Sequence, residues 1–179
     1  MEGGVAPVIK HIPGHGRATA DSHLELPRVD ASLTDLETTD FEPFRQLNAL
    51  PAGMTAHVVY EALDSEECAT TSAGVISKII RGYIGFDGLL MSDDLSMKAL
   101  DGDMVSRTQR VLNAGCDVAL HCNGKLDEMR VVAEAAGTLD ANARRRLAAV
   151  RAAIANPEPL DLDAAETVLA NVLTMAQGG

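Results

Sequence analysis

The chain has 179 residues and 46% of them are apolar, so it is long enough to bury one sizeable core and is not disordered. A formal net charge of −11 argues against a nucleic-acid backbone as partner. No stretch reaches about 18 consecutive apolar residues, so the sequence predicts no membrane-spanning helix.

The three cysteines, Cys68, Cys116 and Cys122, match no zinc or redox spacing. Cys116 and Cys122 fall in an apolar run, which predicts that both thiols are buried. Unpaired cysteines are typical of a reducing compartment, and the first seven residues lack the charged and apolar regions of a signal peptide. We therefore expect a cytoplasmic protein.

The chain begins with an apolar segment followed by a long polar loop. Residues 5–9 are apolar and β-branched, which predicts a buried strand. Pro13 and Gly14 are expected to end this strand region in a turn, and residues 17–31 show no periodicity. A long loop inside a compact domain is usually functional or disordered.

A short helix, a strand and a longer helix are predicted next. Residues 41–47 form the short helix, which Thr39 or Asp40 can cap. Residues 54–60 predict a second strand that contains a histidine. Residues 65–84 predict a helix, because apolar side chains recur there at helical spacing: Val75, Ile76, Ile79, Ile80 and Tyr83.

Strands and helices alternate through the second half of the chain. Residues 87–93 and 116–122 predict the third and fourth strands. Between them lies a helix over residues 104–113, which Gly115 is expected to end. A further helix over residues 125–136 follows the fourth strand.

Two last helices are predicted over residues 140–155 and 163–176, with Leu147, Val150 and Ile154 facing inward in the first of them. Short buried strands alternating with amphipathic helices predict an α/β fold with a parallel sheet. Such sheets carry their chemistry at the carboxyl ends of the strands. Polar side chains follow or end the predicted strands here: Lys10, His11, His57, Asp93 and Asn123.

Asp93 and Asp94, at the end of the third predicted strand, admit two interpretations. One is helix capping, because an aspartate before Leu95 could begin a helix. The other is catalytic, because the end of a buried strand holds a carboxylate rigidly over a pocket. The roles can also be divided, with Asp93 functional and Asp94 capping or hydrogen-bonding.

The segment Asp21-Ser22-His23 is a second candidate. A histidine two residues after an aspartate can be an ordinary loop pair. It can also be a dyad, in which Asp21 orients the imidazole and raises its basicity. Lys10, just inside an apolar run, is better explained by a bound polar ligand or a paired carboxylate than by a solvated strand end.

Neither a metal nor a cofactor is predicted. His11 and His15 are four residues apart, but the proline and glycine between them exclude the helix that such a metal-binding pair needs. His57 and His121 are more simply explained as buried histidines. No phosphate-binding loop, dinucleotide fingerprint or serine nucleophile motif occurs in the sequence.

Five motifs follow one another along the chain: KHIPGHG at 10–16, DSH at 21–23, MTAHV at 54–58, GFDG at 85–88 and SDDLSM at 92–97. Each is modest alone, but five in this order are specific. Together they resemble the family 3 glycoside hydrolases, and most closely the bacterial β-N-acetylglucosaminidases (β-hexosaminidases) of peptidoglycan recycling. An Ala-Gly-Cys-Asp segment extends the resemblance to about Asn123.

The resemblance implies the chemistry of a retaining exo-glycosidase. It assigns the nucleophile to Asp93, which would attack the anomeric carbon and form a covalent glycosyl-enzyme. It assigns the general acid/base to His23 on a mobile loop, with Asp21 as the orienting partner. Lys10 and His11 match the family's residues that hydrogen-bond the sugar hydroxyls.

The resemblance also implies a (β/α)8 TIM-type barrel, which needs about 250 residues. The four clear strands of this chain are expected to be strands 5–8, about the second half. Residues 1–179 would then be a partial catalytic domain, with a core at 5–139 and C-terminal helices at 140–177. Half a barrel exposes two sheet edges, so we expect the chain to dimerise through them, to be unstable alone, or to need the other half.

The expected partner is an amino-sugar substrate, a muropeptide or another N-acetylglucosaminide, with no nucleic acid and no membrane. One alternative is a family 3 β-glucosidase, although those enzymes use a carboxylate acid from another domain instead of a loop histidine such as His23. Another is a catalytically inactive truncated fragment that acts only as a folded or partner-binding half.

Overall fold

The computed structural model describes residues 3–154 and 159–177. The strands are, in chain order, β1 (Val8–Ile12), β2 (Arg28–Val29), β3 (Ala52–Thr55), β4 (Val59–Tyr60), β5 (Leu89–Asp94) and β6 (Val118–Leu120). Four of them form a parallel sheet in the order β1-β3-β5-β6, and β2 pairs with β4 in a small second parallel sheet. The predicted α/β fold with a parallel sheet is confirmed.

Helices connect these strands and continue beyond the last of them. They are α1 (Leu33–Asp35), a π-helix at Leu36–Asp40, α2 (Glu42–Gln46), a second π-helix at Val75–Tyr83, α3 (Met104–Ala114), α4 (Leu126–Ala136), α5 (Ala141–Ala153) and α6 (Leu162–Gln177). Within the described residues, none of these helices combines the length and the apolarity that crossing a membrane demands.

Strand β1 lies three residues later than predicted. Val5 is 73% exposed, whereas Ile9 and Ile12 are buried. Ile9 pairs with Gly53 in β3, so burial and pairing, not the density of apolar residues, decide where the strand lies. As a result Lys10 and His11 belong to the strand itself.

The second predicted strand, over residues 54–60, is wrong as a single element. The chain leaves the main sheet after Thr55, and Val59–Tyr60 then pairs with Arg28–Val29. The loop predicted over residues 17–31 therefore contains a short strand. His57 lies in the bend between β3 and β4, where it is completely buried.

The helix predicted over residues 65–84 is wrong in its first half. Helical structure begins only at Ala73 and continues as the π-helix Val75–Tyr83. The Asp64 carboxylate accepts hydrogen bonds from the N–H groups of Glu66 and Glu67, each at 3.1 Å. These local bonds satisfy backbone donors that a helix would otherwise use, so the segment forms turns instead.

The short helix predicted over residues 41–47 forms as Glu42–Gln46, but neither Thr39 nor Asp40 caps it. Asp40 lies in the preceding π-helix and pairs with Arg17 at 2.7 Å. The sequence prediction missed both helical turns that come before it.

The end of the chain differs in side-chain burial more than in helix position. Cys122 is exposed, so the prediction that its thiol is buried is wrong, whereas Cys116 is buried as predicted. In α5 the buried residue is Ala143, and Ile154 is exposed. Residue 155, the last of the predicted helix, lies outside the described residues. Gly115, with φ of 115°, ends α3 as predicted.

Candidate active site

Asp93 lies at the carboxyl end of β5 and is buried. The preceding Ser92 is also buried, and its hydroxyl accepts a hydrogen bond from the N–H of Leu120 at 3.0 Å. This bond joins the ends of β5 and β6. The side chain of Ser92 therefore ties the strand end that carries Asp93 to β6.

The two carboxylate oxygens of Asp93 have different neighbours. Oδ1 accepts a hydrogen bond from the N–H of Asp94 at 2.8 Å. Oδ2 lies 3.5 Å from Nε2 of His11. Burial lowers the pKa of His11 and outweighs the opposing effect of Asp93, so the imidazole is neutral at pH 7.

Asp94 does not cap a helix, because turns follow it and the next helix begins at Met104. Its carboxylate instead accepts hydrogen bonds from the N–H of Ser96 at 3.0 Å and the N–H of Cys122 at 3.1 Å, and from the Ser96 hydroxyl. Burial raises the pKa of the Asp94 carboxyl, but these hydrogen bonds outweigh it and leave the pKa lowered. Of the two roles considered for Asp94, hydrogen bonding is the one observed.

Asp21 and His23 form a contact within a turn. Nδ1 of His23 lies 2.8 Å from Oδ1 of Asp21, and the backbone N–H of His23 donates to the same oxygen at 2.9 Å. These hydrogen bonds lower the pKa of Asp21. The imidazole is 75% exposed, so the dyad is preformed but stands in solvent.

One open pocket of about 520 Å³ brings the predicted site residues together. Its lining comprises Lys10, His11, His15, Gly16, Asp21, Ser22, His23 and Asp93. All five predicted site residues belong to this lining. They come from β1, from the loop after it and from β5.

His15 and Ser22 also line the pocket, although neither was singled out as a site residue. The His15 ring lies 5.7 Å from the His11 ring, and its Nε2 is 3.4 Å from the Ser22 hydroxyl. Both residues sit inside the KHIPGHG and DSH motifs, which is the signal that could have identified them. Among residues 3–154 and 159–177, no group of three His, Cys, Asp or Glu side chains could hold a metal ion.

The family follows from comparison with known proteins. Residues 1–154 match the sequence pattern of the glycosyl hydrolase family 3 N-terminal domain. The chain belongs to glycosyl hydrolase family 3. This confirms the family that the five sequence motifs indicated.

Relatives within family 3 carry a consistent name. The chain is 42% identical over 138 residues to a β-hexosaminidase of Tolumonas auensis, a match that covers 73% of this chain and 40% of that protein. It is 45% identical over 126 residues to a β-hexosaminidase of Alkalilimnicola ehrlichii, covering 68% of this chain and 36% of that one. The chain thus spans about two fifths of the length of these relatives.

Solved structures of two other proteins have a similar fold. A β-N-acetylglucosaminidase from Paenibacillus sp. str. FPU-7 superposes with a TM-score of 0.77 at 28% identity, over 88% of this chain and 32% of that one. NagZ from Neisseria gonorrhoeae, solved in complex with N-trifluoroacetyl-D-glucosamine, gives a TM-score of 0.73 at 33% identity, over 94% of this chain and 50% of that one.

Proposed function

We propose that this chain carries the reaction centre of a retaining exo-β-N-acetylglucosaminidase, which removes terminal N-acetylglucosamine from peptidoglycan fragments in the cytoplasm. The observation that carries the proposal is the single pocket shared by Asp93, the Asp21–His23 pair, Lys10 and His11. A carboxylate opposite a histidine–carboxylate pair supplies a nucleophile and a proton carrier. The names of the relatives support the amino-sugar class of substrate.

In the first step, Asp93 attacks the anomeric carbon and a covalent glycosyl-enzyme forms. Because Oδ1 already accepts the Asp94 N–H, Oδ2 is the oxygen that attacks. His23 donates a proton to the leaving oxygen. The Asp21 carboxylate is ionised at neutral pH and faces Nδ1, so Nε2 is the ring nitrogen that delivers the proton.

In the second step, His23 removes a proton from water, and the water displaces Asp93 from the sugar. Two displacements at the same carbon give net retention of configuration. The exposure of the His23 ring suits a loop that closes over the substrate after binding and before the first step. Lys10 and the neutral His11 hydrogen-bond the sugar hydroxyls beside the nucleophile.

We also propose that the four-stranded sheet is about half of a (β/α)8 barrel, with β1, β3, β5 and β6 as its strands 5–8. In this proposal, residues 5–139 form the core of a partial catalytic domain and residues 140–177 add helices to it. The consecutive, all-parallel strand order supports this arrangement, as does the fraction of the relatives that the chain spans.

The test is turnover of a chromogenic N-acetylglucosaminide and of the matching glucoside by the full chain. We expect cleavage of the first substrate only, and a loss of about 10⁴-fold in Asp93→Asn. Asp127→Asn is the matched control, because that side chain is 99% exposed on α4. Equal cleavage of the glucoside would favour a β-glucosidase, and no turnover by a well-folded chain would favour an inactive fragment.

A further inference from the structure

A buried histidine lies behind the nucleophile, outside the pocket. Nδ1 of His57 is 2.8 Å from the hydroxyl of Thr70, and Nε2 is 3.2 Å from the carbonyl oxygen of Asp94. The Thr70 hydroxyl in turn lies 2.8 Å from the hydroxyl of Thr55. The three side chains of this row, Thr55, Thr70 and His57, are completely buried.

The chemistry of the row determines where its protons lie. Burial lowers the pKa of His57 and outweighs its hydrogen bond to Asp94, so the ring is neutral and carries one N–H. We assign this N–H to Nε2, because with the proton on Nδ1 two lone pairs, those of Nε2 and of the Asp94 carbonyl, would face each other at 3.2 Å. Nδ1 then accepts the proton of Thr70, although that hydroxyl also lies 3.0 Å from the carbonyl oxygen of Ala56. Thr70 accepts from Thr55.

The row ends at Asp94, the residue whose backbone N–H binds the carboxylate of Asp93. The Asp94 N–H donates to Oδ1 of Asp93, and the Asp94 carbonyl accepts from His57. Pairing of β5 with β6 is irregular between Met91 and Asp94, so regular sheet hydrogen bonds do not hold this strand end by themselves. The Asp94 carbonyl accepts from the N–H of Met97 at 3.2 Å, in the turn that follows, and from His57, a side chain of a segment distant in sequence.

We propose that His57 is a positioning residue for Asp93, acting through the Asp94 peptide. By holding the Asp94 carbonyl, its Nε2–H keeps the adjacent N–H directed at Oδ1 of Asp93 and so fixes the orientation of Oδ2. The contribution to turnover rests on the proposed function. The contribution to the geometry of Asp94 does not.

Two substitutions separate positioning from simple filling of the core. His57→Gln keeps an N–H donor at a reach similar to that of Nε2, whereas His57→Met is of similar size and has no donor. In His57→Met we expect the amide hydrogen of Asp94 to exchange about tenfold faster, which corresponds to one lost hydrogen bond. We expect kcat to fall about tenfold with KM within about twofold, and His57→Gln to restore most of both properties.

His57→Asn provides a second comparison, because its amide has the chemistry of glutamine but is one carbon too short to reach Asp94. We expect it to behave like the methionine variant. Unchanged Asp94 exchange in a folded His57→Met chain, or equal behaviour of the asparagine and glutamine variants, overturns the proposal. If the unsubstituted chain has no turnover but Asp94 exchange changes as expected, the positioning role stands and the proposed function fails.

Discussion

At the scale of single residues, Asp93 and His23 differ in burial. Asp93 is buried at a strand end, with one oxygen hydrogen-bonded to the Asp94 backbone. His23 is exposed in a turn, and its only polar partner in the described chain is Asp21. A nucleophile benefits from a fixed position, whereas a group that serves as acid and then as base can move with its loop.

Substituting His23 tests the role of proton carrier. We expect His23→Ala to lower turnover of a substrate with a poor leaving group by about 10²–10⁴-fold, because protonation of the leaving oxygen is lost. A substrate whose leaving group needs no protonation should recover much of this loss in the first step. His15→Ala is a useful comparison, since that ring also lines the pocket but lacks an aspartate partner. Equal losses with both leaving groups would contradict the acid role.

At the scale of elements, a buried carboxylate joins the start of β6 to its neighbours. Asp117 precedes β6, and its side chain is only 5% exposed. One oxygen accepts from Arg81, at the end of the second π-helix, and from the N–H of Leu90 in β5, both at 2.8 Å. The other accepts from Arg146 in α5 at 2.8 Å. Four segments of the chain therefore meet at one side chain.

Removing the charge of Asp117 should destabilise the fold. In Asp117→Asn two arginines lose their shared anion while they stay partly buried, so we expect a loss of about 3–5 kcal/mol in the free energy of unfolding. Urea denaturation followed by circular dichroism measures it. Asp127→Asn is the control, and a loss below about 1 kcal/mol at Asp117 would show that the network contributes little.

Asp87 gives a pH-dependent contribution at the same end of the sheet. Hydrogen bonds from Arg145 and Arg146 lower its pKa to about 2. A lowered pKa stabilises the fold fully above the ordinary carboxyl pKa of about 4, and this contribution is lost as the pH falls through 2. Asp87 is mostly exposed, so solvent screening limits the contribution to about 1 kcal/mol or less.

We therefore expect the difference in unfolding free energy between the unsubstituted chain and Asp87→Asn to be largest near pH 6. The difference should shrink towards zero near pH 2, where the carboxyl is protonated in both folded and unfolded chains. Denaturant titrations at several pH values measure it. A difference that stays constant with pH would mean that the charge of Asp87 is not what stabilises this corner.

At the scale of the whole molecule, the main sheet has two edges. Within the described residues, β1 pairs only with β3, and β6 pairs only with β5. An edge strand presents unpaired N–H and C=O groups to a neighbouring chain. The proposed half-barrel therefore has two surfaces on which a second copy can add its own strand.

Self-association through an edge should depend on concentration and on edge charge. We expect the 18.9 kDa chain to approach twice its mass in light scattering as its concentration rises. Val8→Lys places a charge on β1 and should shift the equilibrium towards monomer, because edge lysines oppose strand addition. Val105→Lys on α3 is the matched control, since the two valines are 40% and 41% exposed. Equal masses for both variants would contradict association through β1.

The candidate site was more predictable from sequence than the strands that carry it. Asp21, His23 and Asp93 lie in short motifs, and their order along the chain is local information. The surroundings of Asp94 depend on contacts distant in sequence, such as the N–H of Cys122, which is 28 residues away. The sequence therefore left its role open between capping and hydrogen bonding. The buried row behind it had no sequence signal beyond a histidine expected to be buried.

The sequence by itself determined the α/β class, the family and the residues available for chemistry, because alternating apolar segments and ordered motifs are properties of neighbouring residues. Only the tertiary structure decided that β1 extends through Lys10 and His11, and that the chain leaves the sheet before His57. Strand limits follow from pairing and burial against distant partners, such as Ile9 with Gly53. The position of His11 in β1 likewise decides which oxygen of Asp93 faces an imidazole.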